Sequence, residues 1–128
     1  MDEGNGLGPK LTAARDLKLR TKQFALRVIQ VFRALPREET ARVLGRQLLR
    51  AGTSVAANYR AACRARSRRE FIAKIGIVIE ESDETAFWIE LLSDAGLMKA
   101  AKLSNLATEA AELTAIFAAS YRTAKDKK

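Results

Sequence analysis

Histidine is absent from this chain of 128 residues, and cysteine occurs once, as Cys63. Without an imidazole base, neither a Ser-His-Asp nor a Cys-His nucleophile arrangement can form. The Glu-x-x-His pairs of di-iron helical proteins are missing too, and one thiol cannot build a Cys/His zinc site. A lone cysteine excludes an internal disulfide and suits a reducing cytoplasm; on a helix it reads as a small apolar residue. Proline occurs twice, and four of the seven glycines (Gly4, Gly6, Gly8 and Gly45) precede residue 46. So little punctuation leaves room for long helices, and abundant alanine and leucine favour them over strands. No apolar run approaches the roughly 18 residues of a membrane span. The opening "MDEGNGLGPK" has no apolar core and is not read as a secretory signal. Its "GNGLG" has the glycines of a dinucleotide loop but no preceding strand to present them.

What is present is charge, unevenly placed. The net charge is +8. Residues 1–69 carry 16 Lys/Arg against 5 Asp/Glu (+11), and residues 70–128 carry 7 against 10 (−3). Such asymmetry points to a polyanionic partner for the first half, or to pairing between the two halves. The apolar share of 48% and the charged share of 30% are those of one folded domain rather than a disordered chain.

Apolar spacing predicts four helices. Residues 1–16, glycine-rich and aperiodic, read as a flexible arm, and residues 125–128 as a basic tail. A first helix spans about Leu17 to Leu35, with Leu17, Phe24, Val28, Val31 and Leu35 on one face, and Pro36 stops it. A second runs from Glu38 to about Arg64, with Leu44, Leu48, Ala51, Val55, Asn58 and Ala62 as its stripe. Gly52 in its interior costs roughly 1 kcal/mol against alanine, which implies a packing reason. "SRRE" (Ser67 to Glu70) has the form of a capping box and opens a third helix, Arg68 to about Asp94. Phe71, Ile75, Val78, Ser82, Thr85, Ile89 and Leu92 form its stripe, and Gly96 marks its end. A fourth runs from about Lys99 to Ala124. The fold class is therefore all-α, an antiparallel up-down-up-down four-helix bundle over residues 17–124.

Three constellations invite a functional reading. The acidic "EESDE" places Glu80 and Glu84 one turn apart. That spacing suits Mg²⁺ in principle, but pairing with arginines of the second helix, such as Arg46 or Arg50, is the stronger expectation. Asn58 interrupts an apolar stripe one turn from Ser54. It is read, with Ser54, Arg50 and Glu81, as a polar tie that fixes helix register. The third is the arginines. Arg60, Arg64, Arg66, Arg68 and Arg69 fall within ten residues without an acid among them, and Arg42 and Arg46 make an earlier row. Guanidinium forks match phosphate oxygens, so these residues are the candidate nucleic-acid-binding set. With only Tyr59 and Phe71 nearby, base stacking is not expected to dominate. No metal, cofactor or catalytic residue is indicated. The competing expectation is an adaptor whose basic surface meets an acidic protein partner.

The stretch "QLLRAGTSVAANYRAACRARSRREF", Gln47 to Phe71, resembles the four-helix-bundle family of 23S rRNA intervening-sequence proteins. The resemblance rests on Gln47-Leu48, Arg50-Ala51, Ser54, Ala57-Asn58 and the basic link into Glu70-Phe71, and extends over roughly residues 17–122. It implies an antiparallel bundle assembled as a homopentameric ring. The fold also looks similar to the accessory variability determinant of diversity-generating retroelements, which binds nucleic acid. Where many members carry Ile-x-Glu-Gly after the asparagine, this chain has "YRAAC", Tyr59 to Cys63, which removes an acid and a glycine and makes the corner more positive.

Overall fold

The computed structural model describes residues 8–127 as four helices: α1 (Gly8–Ala34), α2 (Glu39–Cys63), α3 (Arg68–Asp94) and α4 (Ala100–Asp126). No strand occurs among the described residues. Helix ends fall where the sequence carries chemical punctuation. After Pro36, the carboxylate of Glu38 accepts the Ala41 N–H at 3.0 Å and caps α2. At α3 the capping box forms: the Ser67 hydroxyl accepts the Glu70 N–H at 3.0 Å. The Glu70 carboxylate reaches back to the Arg66 N–H at 2.9 Å, one residue beyond the cap's own amide. Gly96, at φ +75°, closes α3. Its N–H bonds the Ser93 carbonyl and the Leu97 N–H bonds the Leu92 carbonyl, the paired pattern of a Schellman motif.

Both chain ends depart from the expectation. Residues 8–16, expected within an arm, are helical, so α1 begins at Gly8 rather than near Leu17. Pro9 then falls in a first turn, where its missing N–H costs nothing. Residues 1–7 lie outside the described residues. At the other end α4 continues through Asp126, so Lys125 belongs to the helix rather than to a tail.

One core joins all four helices. Phe24 and Val28 of α1 meet Leu48, Val55 and Tyr59 of α2, Ile75, Val78 and Leu92 of α3, and Leu113 and Phe117 of α4. Gly52 has the packing reason its position implies. A β-carbon there would lie 2.7 Å from a γ-carbon of Val28, so α1 and α2 touch almost backbone to side-chain root. Gly45 does the same against Leu35 and Phe32. Buried hydroxyls are satisfied within their own helices, Thr21 on the Leu17 carbonyl (2.8 Å) and Thr85 on that of Glu81 (2.7 Å). Ser82 of α3 and Thr114 of α4 link hydroxyl to hydroxyl at 2.8 Å.

The seam between α1 and α4 is sparse by comparison. A fork fastens it midway: Arg20 donates to both oxygens of Glu109 at 2.7 and 2.8 Å and to Glu112 at 2.8 Å. The Arg20 guanidinium holds the Glu109 carboxyl below its ordinary range, an effect that outweighs the opposing cost of burial. No described helix is long and apolar enough to cross a membrane.

Candidate nucleic-acid interface

Half of the ten residues across the junction of α2 and α3, 60–69, are arginine. Arg60 lies in the last turn of α2, Arg64 is its C-cap, Arg66 sits in the turn, and Arg68 and Arg69 open α3. All five are exposed. Among the described residues none forms a salt bridge with a carboxylate. Glu70, the nearest acid, spends its oxygen on the Arg66 amide. Arg68 and Arg69 sit at the positive end of the α3 dipole and Arg60 and Arg64 at the negative end of α2, so the arginines rather than the dipoles set the sign of the corner.

The fold recruits a cation that the sequence reading did not assign to this site. Arg68 donates a hydrogen bond to the carbonyl of Lys127, bringing the end of α4 to the corner across 59 positions of sequence. Lys127 is exposed there, whereas Arg122 and Lys125, also exposed, lie on α4 away from the face that meets Arg68, the Lys125 ammonium 5.3 Å from the Tyr121 ring centre. The only sequence signal for Lys127 is the basic run at the chain end. Beside Lys127 a groove of about 880 Å³ runs between the starts of α1 and α3 and the end of α4, lined by Leu17, Phe71, Ile116 and Ala119.

Other candidates lie elsewhere. Arg42 groups with Arg33 and Arg37 around the α1–α2 turn. Arg46 precedes Arg60 by 14 positions, about 21 Å along a helix. Both are exposed, but the fold does not bring them to the corner. Arg50 pairs with Glu81 at 3.2 Å and with Glu84, joining α2 to α3 as expected. The indole N–H of Trp88, donating at 3.0 Å, and then Arg50 hold the Glu84 carboxyl below its ordinary range.

Asn58 corrects the expectation of an inter-helix tie. Its amide donates to the Ser54 carbonyl at 2.9 Å, within α2. The reason is rotation: the inward position at this level is Tyr59, stacked on Phe117 with ring centres 5.2 Å apart, and Asn58 is left half-buried at its side. Burial pushes the Tyr59 phenol well above its ordinary range. Among the described residues no three His, Cys, Asp or Glu side chains gather as a metal site.

Comparison with known proteins gives the family of the chain. The family model described as 23S rRNA-intervening sequence protein matches residues 16–119. The chain belongs to that family. A solved relative is a protein of unknown function from the S23 ribosomal protein family of Bacteroides thetaiotaomicron. It shares 31% identity at a TM-score of 0.76, and the alignment covers 81% of this chain and 96% of that one. No curated protein matches. Within this member of the 23S rRNA-intervening sequence family, the matched span contains the whole arginine corner. It stops short of Arg122, Lys125 and Lys127.

Proposed function

We propose that this chain is a non-enzymatic, cytoplasmic, homo-oligomeric protein that binds nucleic acid, RNA or DNA, through phosphate contacts at the arginine corner. The observation that carries the reading is the convergence of Arg60, Arg64, Arg66, Arg68 and Arg69 without a carboxylate partner among the described residues. Planar guanidinium forks suit paired phosphate oxygens, and exposed cations free of ion pairs release counterions productively on binding. The family's description, naming an rRNA intervening sequence, points the same way, as does the resemblance to the nucleic-acid-binding accessory variability determinant.

The scaffold in this reading is an antiparallel up-down-up-down bundle. Matched positions support it: Gly45 lies level with Leu35 and Gly52 with Val28, while Ser82 meets Thr114 and Gly76 faces Tyr121. In the homopentameric ring that the resemblance implies, identical corners repeat, and modest contacts multiply by avidity. No catalytic role is assigned: of the pair Glu80 and Glu84, Glu84 is engaged with Arg50, and no cluster of acids gathers around Glu80 among the described residues.

The test is fluorescence anisotropy of labelled single-stranded RNA and duplex DNA, with the parent chain and an Arg64→Glu/Arg68→Glu variant. The variant keeps its helicity and mass and loses affinity for both probes. Unchanged affinity removes the corner as the site. Absence of binding by the parent turns the search to an acidic protein partner.

A further inference from the structure

Among the described residues five large apolar side chains are exposed: Leu19, Leu26, Val43, Ile77 and Phe87. Four of them fall on two outward helix faces. The stripe of α1 opposite its buried side reads Arg15, Leu19, Lys22 and Leu26 at three-and-four spacing, with Arg33 two turns further on beyond the half-buried Ile29. The corresponding stripe of α3 reads Glu80, Asp83, Phe87, Glu90 and Asp94, with Ile77 at its edge. The first carries three cations and no acid, the second four acids and no cation. Apart from Ile29, both are exposed along their length. Leu19 and Leu26 are 54% and 49% exposed, and Phe87 is 50% exposed.

These faces cannot satisfy one another within a chain. α1 packs on α2 and α4, α3 packs on the same two helices, and among the described residues α1 and α3 stand diagonally across the shared core without close backbone approach. Each molecule therefore presents a basic apolar stripe on one side and an acidic apolar stripe on the other.

We infer that the α1 face of one copy docks on the α3 face of the next. Phe87 seats against Leu19 and Leu26, which stand about 10 Å apart along α1, two helical turns. Asp83 and Glu90, about one turn on either side of Phe87, face Lys22 and its basic neighbours. Aromatic anchors in an apolar patch supply the affinity, and the flanking charges fix the register and discourage other pairings. The contact uses two different patches, so it is heterologous and propagates head to tail, closing into a ring where the rotation per copy allows. The inference rests on the proposed self-association and names its surfaces. It does not involve the arginine corner.

Two single variants test it, Leu26→Glu on α1 and Phe87→Glu on α3. Both positions are half-exposed, so helicity and melting of the protomer serve as the folding control. In sedimentation velocity the parent is an oligomer, and each variant alone self-associates at least about tenfold more weakly. Mixed in equal amounts the two variants form a dimer, because the intact α3 of one meets the intact α1 of the other while the remaining pair of faces is broken. An oligomer that survives both substitutions overturns this interface and leaves self-association standing. Two variants that both dissociate but do not pair on mixing overturn the head-to-tail geometry. A monomeric parent overturns the interface together with the ring. Nucleic-acid affinity per protomer, measured with a short probe, stays near the parent value in both variants, which separates this surface from the arginine corner.

Discussion

Replacing Gly52 by alanine should destabilise the fold, although alanine is the better helix former. A β-carbon at this position lies 2.7 and 2.9 Å from the two γ-carbons of Val28 and 3.1 Å from its β-carbon. Carbon atoms pack at roughly 3.5–4.0 Å, so the overlap approaches an ångström. Val28 is fully buried and β-branched, with essentially one helical rotamer, and cannot swing aside. Relief has to come from α1 moving off α2. Overpacking of this kind costs about 1–3 kcal/mol, and alanine returns about 1 kcal/mol of helix propensity. With so rigid a neighbour the cost lies near the top of its range, leaving a net loss of about 2 kcal/mol. Gly76 supplies the control. The nearest atom to a β-carbon there is Cε1 of Tyr121 at 3.7 Å, an ordinary contact. Gly76→Ala should therefore gain up to about 1 kcal/mol. The assay is urea or thermal unfolding at one fixed protomer concentration, since self-association raises apparent stability. Opposite signs for the two substitutions are expected. A Gly52→Ala variant melting at or above the parent would refute the close α1–α2 approach.

Other outcomes follow from the same structure. Ser67→Ala removes the side-chain cap of α3 and should cost about 1 kcal/mol in urea unfolding, with Ser67→Asp restoring most of it. The Arg20 fork gives a pH dependence. Because the folded Glu109 carboxyl titrates below its unfolded value, its contribution is complete above the ordinary carboxylate range and is lost as pH falls through the lowered folded value. The urea midpoint should therefore drop between about pH 5 and pH 2 by more in the parent than in Arg20→Met. Equal slopes would mean the fork is open in solution. Exchanging both Arg64 and Arg68 for glutamine should lower the duplex-DNA salt slope by about 1.8, roughly 0.9 for each lost phosphate contact, without changing the melting temperature.

Much of this fold was legible because its boundaries are chemical. Pro36, the Ser67–Glu70 box and Gly96 each act on the backbone within a residue or two, and α1 stops, and α3 starts and stops, where those signals put them. The start of α1 was not read, because Gly4, Gly6 and Gly8 outweighed Pro9, the one residue there that fits a first turn. Periodicity also set the rotation of α2 off by one position at this level: it put Asn58 in the stripe, and packing against Phe117 turns Tyr59 inward instead. The arginine cluster was visible as a run. Its enlargement by Lys127 depends on the bond from Arg68 to the Lys127 carbonyl, which no local pattern encodes.

The central proposal is that the corner binds phosphate, and the most direct measurement is the affinity of the parent chain for duplex DNA and single-stranded RNA across a series of salt concentrations. A straight fall of log affinity with log salt is expected, steep enough to count several phosphates at about 0.9 each on the duplex. Affinity indifferent to salt, or none at the lowest salt, would contradict it.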